Sequence, residues 1–373
     1  SSDWVEEFAT MPDEIVLRDH VEIGAFAYAI NNQRWPTGCD LHKQYDPPTG
    51  TYKTYFDPNC DKCKRAWMFR LALAYLTDKA YVRNEVLEGL GNIMDTYVPE
   101  PALAEWLDKP NLTNSYFDTP DFGAGSIHIP TLIYPYDPTM AADILDKAGF
   151  TVGPDGKTRI DPLTGDYLTP LVFYIRLDDP NRVAAGVKLF TDMNATGIPV
   201  SVQVVSKAVC LQKVMVEYDY HLYTEGYSLG ADLDFLYGIF SSHQYWAPIG
   251  WSGGYQGFCH HMYDLYADEI VYGANMGEAR TGVHNCTFIF NKYVGGIPLW
   301  CAAGVKAYRK GWTGVVNMKG YGIDASWSFL NMYRPDPVMP GEIRWGFLNN
   351  LEGPNVITAD WIWDWQVLGL VYD

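Results

Sequence analysis

The sequence predicts an α/β protein of two domains, on three observations. The chain has 373 residues, more than the roughly 250–300 at which a single hydrophobic core stops growing. Hydrophobic residues make up 48% and charged residues 19%, a balance that supplies a large core and argues against extended disorder. Between Leu171 and Val205 a strand pattern, a helix pattern and another strand pattern follow in turn, as expected of parallel strands joined by a crossover helix.

Taken in order, the first strong helical pattern runs from about Asp61 to Leu87, with Ala66, Phe69, Leu73, Leu76 and Ala80 recurring on one face. Gly89 and Gly91 close it. Val98 to Tyr136 is rich in proline and aromatics and reads as a long irregular connection and a candidate domain boundary. Asp137-Pro138 then opens a short helix, with the Asp side chain capping free N–H groups, Pro at the first helical position and Ala141, Ile144, Leu145 and Ala148 as the apolar face. Leu171 to Ile175 is a strand, and the helix after Pro180 is expected to turn Val183, Val187 and Phe190 inward before Gly197. Pro199 to Val205 is the second strand, Lys207 to Tyr218 is helical, and Tyr220 to Thr224 returns as a strand. His243 to Phe258 reads as a loop rich in Trp, Tyr and Gly, followed by helices to about Asn291.

The net charge of −18 and the pI near 4.7 would repel phosphate backbones and anionic lipid, so nucleic acid is excluded as a partner. No run approaches the ~18 apolar residues that a membrane span requires, so attachment to a membrane would need an anchor outside these residues. Seven cysteines are an odd number. Cys60 and Cys63, with Cys39 upstream, fit a structural disulfide or buried thiols, half of a metal site, or a redox pair. No second cysteine pair or His-x-His cluster follows nearby, and no metal or cofactor is expected. Sequons at Asn111, Asn194 and Asn285 would permit glycosylation outside a cell.

Several motifs then occur in a shared order. Arg70 to Lys79, preceded by Asn32 to Pro36 and Phe56-Asp57-Pro58, resembles an Arg-x-Ala-Leu helix that ends in an Asp-basic pair. Tyr136 to Phe150 resembles a Tyr-Asp-Pro helix ending in Ala-Gly-aromatic. Gly226-Tyr227 with Asp232 and Asp234 is similar to a Gly-Trp strand end and acidic turn, and Ile297 to Trp300, Ala307-Tyr308 and Gly311-Trp312 are similar to a closing strand. On these motifs the chain resembles the oligopeptide/dipeptide-binding family of extracellular solute-binding proteins of ABC transporters, family 5. The resemblance implies the type II periplasmic-binding-protein (Venus-flytrap) fold, with one lobe at 1–131 joined by 305–373 and the other at 132–304. It departs from the family at both ends. The long segment that precedes the Arg70-type helix in the family is not represented, and 340–373 resembles the start of a family unit, as in a tandem copy or a permuted strand.

The resemblance implies a receptor that captures a small peptide between its lobes and delivers it to an ABC permease, making and breaking no bond. It would work extracellularly or at the cell surface, in the periplasm where an outer membrane exists. Asp232 and Asp234 are the candidates to meet a peptide ammonium, the alternative being that they cap the next helix. Tyr227, Trp246, Trp251, Tyr255 and Trp300 are candidate cleft walls, although aromatics at 15% of the chain make core roles common. The same aromatics keep an oligosaccharide open as the ligand. A structural role, in which the tail joins neighbouring copies into an extracellular array or homo-oligomer, is the other alternative. Catalysis is not expected: Asp232 and Glu225 could be drawn as a glycosidase pair, but 45 acidic residues make chance pairs abundant. His260 and His261 are neighbours whose side chains diverge, which favours packing or surface roles over a metal.

Overall fold

The computed structural model describes residues 3–39, 56–107, 112–230, 232–245, 254–335 and 343–346, with 355, 359, 364 and 367–370 in the tail. These residues divide into two compact units, one formed by 1–24 with 301–373 and the other by 25–300. The boundary expected at residue 131 lies inside the second unit, where the Asp137 amide donates to the Tyr75 carbonyl at 2.8 Å.

In the smaller unit, helix α1 (Asp3–Ala9) leads into strand β1 (Ile15–Val21). Strand β1 pairs antiparallel with the second half of β9 (Gly296–Arg309), Ile15 opposite Arg309 and Val21 opposite Ala303.

The larger unit carries the α/β sheet. Its strands are β2 (Gly24–Ile30), β6 (Leu171–Arg176), β7 (Val200–Val205), β8 (Leu222–Ser228) and the first half of β9, in the order β9-β2-β8-β6-β7. A three-residue strand, β3 (Gly91–Ile93), adds to β9. Strand β6 runs parallel to both β7 and β8, as the strand–helix–strand pattern predicts, whereas β2 meets β9 antiparallel.

Helix α2 (Asp61–Tyr75) is shorter than expected. The Thr77 hydroxyl donates back to the Leu73 carbonyl, and the Asp78 carboxylate accepts from the Tyr81 amide, starting a new turn, α3 (Lys79–Tyr81). Ala66, Phe69, Leu73 and Leu76 are buried as predicted, but Ala80 lies beyond the break and is exposed. The expected irregular connection holds a short helix, α4 (Glu100–Trp106), and a small pair of strands, β4 (Phe117–Asp118) and β5 (His128–Ile129).

Helix α5 (Pro138–Lys147) follows the prediction closely. Asp137 accepts from the Thr139 and Met140 amides at 3.0 and 2.9 Å, and Ala141, Ile144, Leu145 and Ala148 are fully buried. Helix α6 (Pro180–Ala195) presents a different face from the expected one: Ala185, Gly186, Leu189 and Met193 point inward, while Val187 is 43% exposed. Gly186 explains the rotation. A Cβ there would lie 2.6 Å from Ile175 Cδ1, so the helix docks on β6 through its glycine.

Helix α7 (Lys207–Leu211) continues as a π turn to Val216, and α8 (Phe235–Phe240) and α9 (Ser242–Tyr245) precede the long pair α10 (His261–Tyr272) and α11 (Met276–Tyr293). A short helix, α12 (Ser326–Asn331), belongs to the smaller unit. The segment 340–373 is described at too few positions to test its resemblance to a family start.

A buried cation ties α2 to the end of α11. Arg70 on α2 is 4% exposed and donates to the Thr37, Tyr293 and Val294 carbonyls at 2.8 to 3.1 Å. Val294 ends α11 in the left-handed region, φ 49°, which leaves the Tyr293 and Val294 carbonyls without helical partners. Burial lowers the Arg70 pKa to about 10, still well above neutral pH.

Candidate functional site

The acidic turn follows β8. Both aspartates are exposed, and Leu233 between them takes φ 61°. A Cβ on Gly230 would stand 2.5 Å from one oxygen of Asp232 and 3.9 Å from one of Asp234, so the glycine lets the two carboxylates converge over bare backbone. Partial burial, then the charge of Asp232, raises the Asp234 pKa above the usual carboxylate range. The Asp234 carbonyl starts α8 by accepting from Tyr237 and Gly238, but its side chain makes no capping bond. Among the described residues neither carboxylate has a Lys or Arg in ion-pair reach. Two converging carboxylates are electrostatically suited to an incoming ammonium.

Directly upstream is a constellation that the sequence names only in part, through Glu225, Tyr227 and Tyr255, and whose other members, Tyr97 and Gln256, it gives no sign of. Glu225, 1% exposed, accepts from four side chains: the Tyr97 hydroxyl, Tyr255 (2.6 Å), Tyr227 (3.1 Å) and the Gln256 amide (2.9 and 2.7 Å). The Tyr255 oxygen is also within hydrogen-bond reach of the Tyr227 hydroxyl, whose single proton is shared between it and Glu225. Burial raises the Glu225 pKa while these four donors pull it down. The tyrosine pKa values are raised well above 10, by burial first and by Glu225 next. This network holds the end of β8, from which the acidic turn projects.

A second assembly lies on the same strand. Phe26 stacks on Trp300 with ring centroids 4.8 Å apart, and the Arg182 guanidinium covers the Phe26 ring at 4.9 Å. A Cβ at Gly226 would sit 2.2 Å from Arg182 Nη2, so the glycine of the Gly226-Tyr227 motif makes room for this cation. Arg182 is paired with Asp179 at 3.1 Å.

The remaining sequence-predicted residues divide as follows. Tyr227 is half-buried and engaged with Glu225, and Tyr255 and Trp300 are buried, at 2% and 3% exposure. Trp246, Trp251 and Asn111 lie outside the described residues. Asn194 and Asn285 are half-buried within α6 and α11 rather than in loops, and Thr287 of the latter sequon is 4% exposed, a poor setting for glycosylation of the folded chain. Cys39 and Cys63 are buried with their sulfurs 2.6 Å apart, and Cys60 is half-buried. His260 accepts from the Tyr263 amide at the start of α10 and packs against Phe56, Phe258 and Tyr293; burial lowers its pKa to about 4. A small pocket of about 20 Å³ between Lys79, Asp95, Tyr134 and Asn291 has room for about one water. Among the described residues no helix is long and apolar enough to cross a membrane.

Residues 24–246 match the family described as bacterial extracellular solute-binding proteins, family 5 Middle. Solved structures show the same fold at low identity. One is NikZ from Campylobacter jejuni in complex with Ni(L-His), at 17% identity, TM-score 0.62, covering 89% of this chain and 56% of that one. Another is the oligopeptide-binding protein AppA from Bacillus subtilis with a nonapeptide, at 13% identity, TM-score 0.59, covering 89% and 54%. A third is a periplasmic oligopeptide-binding protein of an ABC transporter from Thermotoga maritima bound to mannohexaose, at 16% identity, TM-score 0.61, covering 85% and 53%. The chain thus spans about half the length of these structures. No curated protein matches it.

Proposed function

Because this chain belongs to the bacterial extracellular solute-binding proteins of family 5, we propose that it captures a small peptide and hands it to an ABC permease, with no bond of the ligand made or broken. The family acts outside the cytoplasmic membrane, extracellularly or in the periplasm. The lobe assignment 1–131 with 305–373, and 132–304, is part of this proposal. So is the role of Asp232 and Asp234, which would receive the peptide's α-ammonium.

The observation that carries the reading is the acidic turn itself. Two carboxylates converge over Gly230, they have no cationic partner among the described residues, and the helix-capping role that competed for them is not taken up by the Asp234 side chain. An oligosaccharide remains the second reading, favoured by the aromatic content and by the mannohexaose complex of the Thermotoga maritima protein.

Native mass spectrometry of the purified chain, followed by thermal-shift titration with short peptides, N-acetylated peptides and manno-oligosaccharides, tests this. Peptide binding should weaken about ten- to a hundredfold in D232N/D234N, and similarly on N-acetylation, as expected when a charge-assisted contact worth about 1.5–3 kcal/mol is lost. A sugar that raises Tm where peptides do not would transfer the assignment to oligosaccharides. Ligand-independent Tm with large homo-oligomers would instead support the structural role.

A further inference from the structure

We propose that Cys39 and Cys63 form a disulfide in the exported protein, clamping the turn that follows β2 onto the first turn of α2, with Cys60 left as a free thiol. The proposal concerns covalent structure and uses only the family's extracytoplasmic location, independently of the ligand.

Both partners are held in place by groups other than each other. Cys39 ends a buried polar turn. Asn31 donates to the Tyr220 carbonyl at 3.0 Å, Asn32 donates to the Gly295 and Gln256 carbonyls at 2.8 and 3.1 Å, and the Thr37 hydroxyl donates to the Asn31 carbonyl at 2.8 Å. Gly38 lets this turn close, since a Cβ there would fall 2.2 Å from the Asn32 backbone. Cys63 sits in the opening turn of α2, and Arg70, two turns along that helix, donates to the Thr37 carbonyl. The two segments are therefore already in register on either side of the sulfurs.

The sulfurs are 2.6 Å apart in side chains that are 4% and 1% exposed. The hydrogen bond with Cys39, then burial, raises the Cys63 pKa in the folded chain, so exchange occurs as the chain folds, while the thiols are still accessible. Cys60, half-buried at the helix start, also contacts Cys63 but lies nearer to solvent than Cys39 or Cys63, so the pairing is read as Cys39–Cys63 on the shared burial of those two sulfurs.

Formation is an exchange with a protein disulfide of the thiol-oxidase class found in extracytoplasmic compartments. Cys39 and Cys63 lose two protons and two electrons as the S–S bond forms, and the oxidase disulfide takes up both to become two thiols.

Peptide mapping of the intact protein, secreted under oxidising conditions and alkylated in denaturant without reductant, decides the matter. Cleavage after Lys62 separates Cys60 from Cys63. The expected product is peptide 35–43 joined to 63–64, about 2 Da lighter than the two reduced peptides together, with Cys60 alkylated. C39A and C63A should each lower Tm by about 5 °C, the double variant no further, and C60A not at all. Dithiothreitol should bring the wild type to the Tm of C63A while leaving C63A unchanged. Alkylation of all three cysteines before reduction, or a bridge that includes Cys60, overturns the proposal.

Discussion

Substituting Glu225 tests whether the hydrogen-bond network at the end of β8 is a structural keystone. In Glu225→Ala the Tyr97 hydroxyl and the Gln256 amide lose the acceptor they share, and neither has another among the described residues. Tyr227 and Tyr255 keep their mutual bond. Two stranded buried donors at about 1–3 kcal/mol each, with a small further loss from the void, give a destabilisation of about 3–6 kcal/mol. Glu225→Gln keeps the volume and an acceptor oxygen, and hydroxyls can rotate to accept, so its cost should stay within about 1–2 kcal/mol.

The two variants also differ from wild type in pH dependence. The folded-state pKa of Glu225 is raised above 4.5. The native protein therefore holds a proton that the unfolded chain has released. Its favourable contribution is complete below about 4.5 and is lost as pH rises through the folded value. Relative to wild type, E225Q should gain stability from about pH 4.5 upward and then level off. Urea unfolding of the three proteins between pH 4 and 8 measures both quantities. An E225A loss below about 1 kcal/mol, or an E225Q difference flat across that range, would refute the reasoning.

Arg70→Met removes the donors to three backbone carbonyls and should destabilise the larger unit by about 2–4 kcal/mol, with hydrogen exchange rising first at the C-terminal end of α11. Asp137→Ala removes a cap that accepts from two amides and should cost about 1 kcal/mol by chemical denaturation, with Asp137→Asn restoring most of it. Expression in a glycosylating host should leave Asn194 and Asn285 unmodified in correctly folded protein, as read by intact mass, because both lie in helices.

Local chemistry in the sequence determined a good deal. The strands at 171–176 and 200–205 with their crossover helix, the Asp137-Pro138 helix start and the buried face of α5 follow from periodicity and capping among residues within a few positions of each other. The Gly226-Tyr227 motif and the acidic turn were legible because they occupy one short stretch. Tertiary structure decided where residues far apart meet. Helix α2 stops at Tyr75 because polar side chains at Thr77 and Asp78 find backbone partners, although the apolar spacing continues. Helix α6 turns Gly186 rather than Val187 to the sheet because close approach to Ile175 outweighs the hydrophobicity of any one side chain. Tyr255 and Trp300 are buried, and Glu225 gathers Tyr97 and Gln256 across gaps of 128 and 31 residues. No periodicity encodes such a meeting: a buried carboxylate needs donors wherever the fold can bring them, and that becomes visible only once the strands are paired.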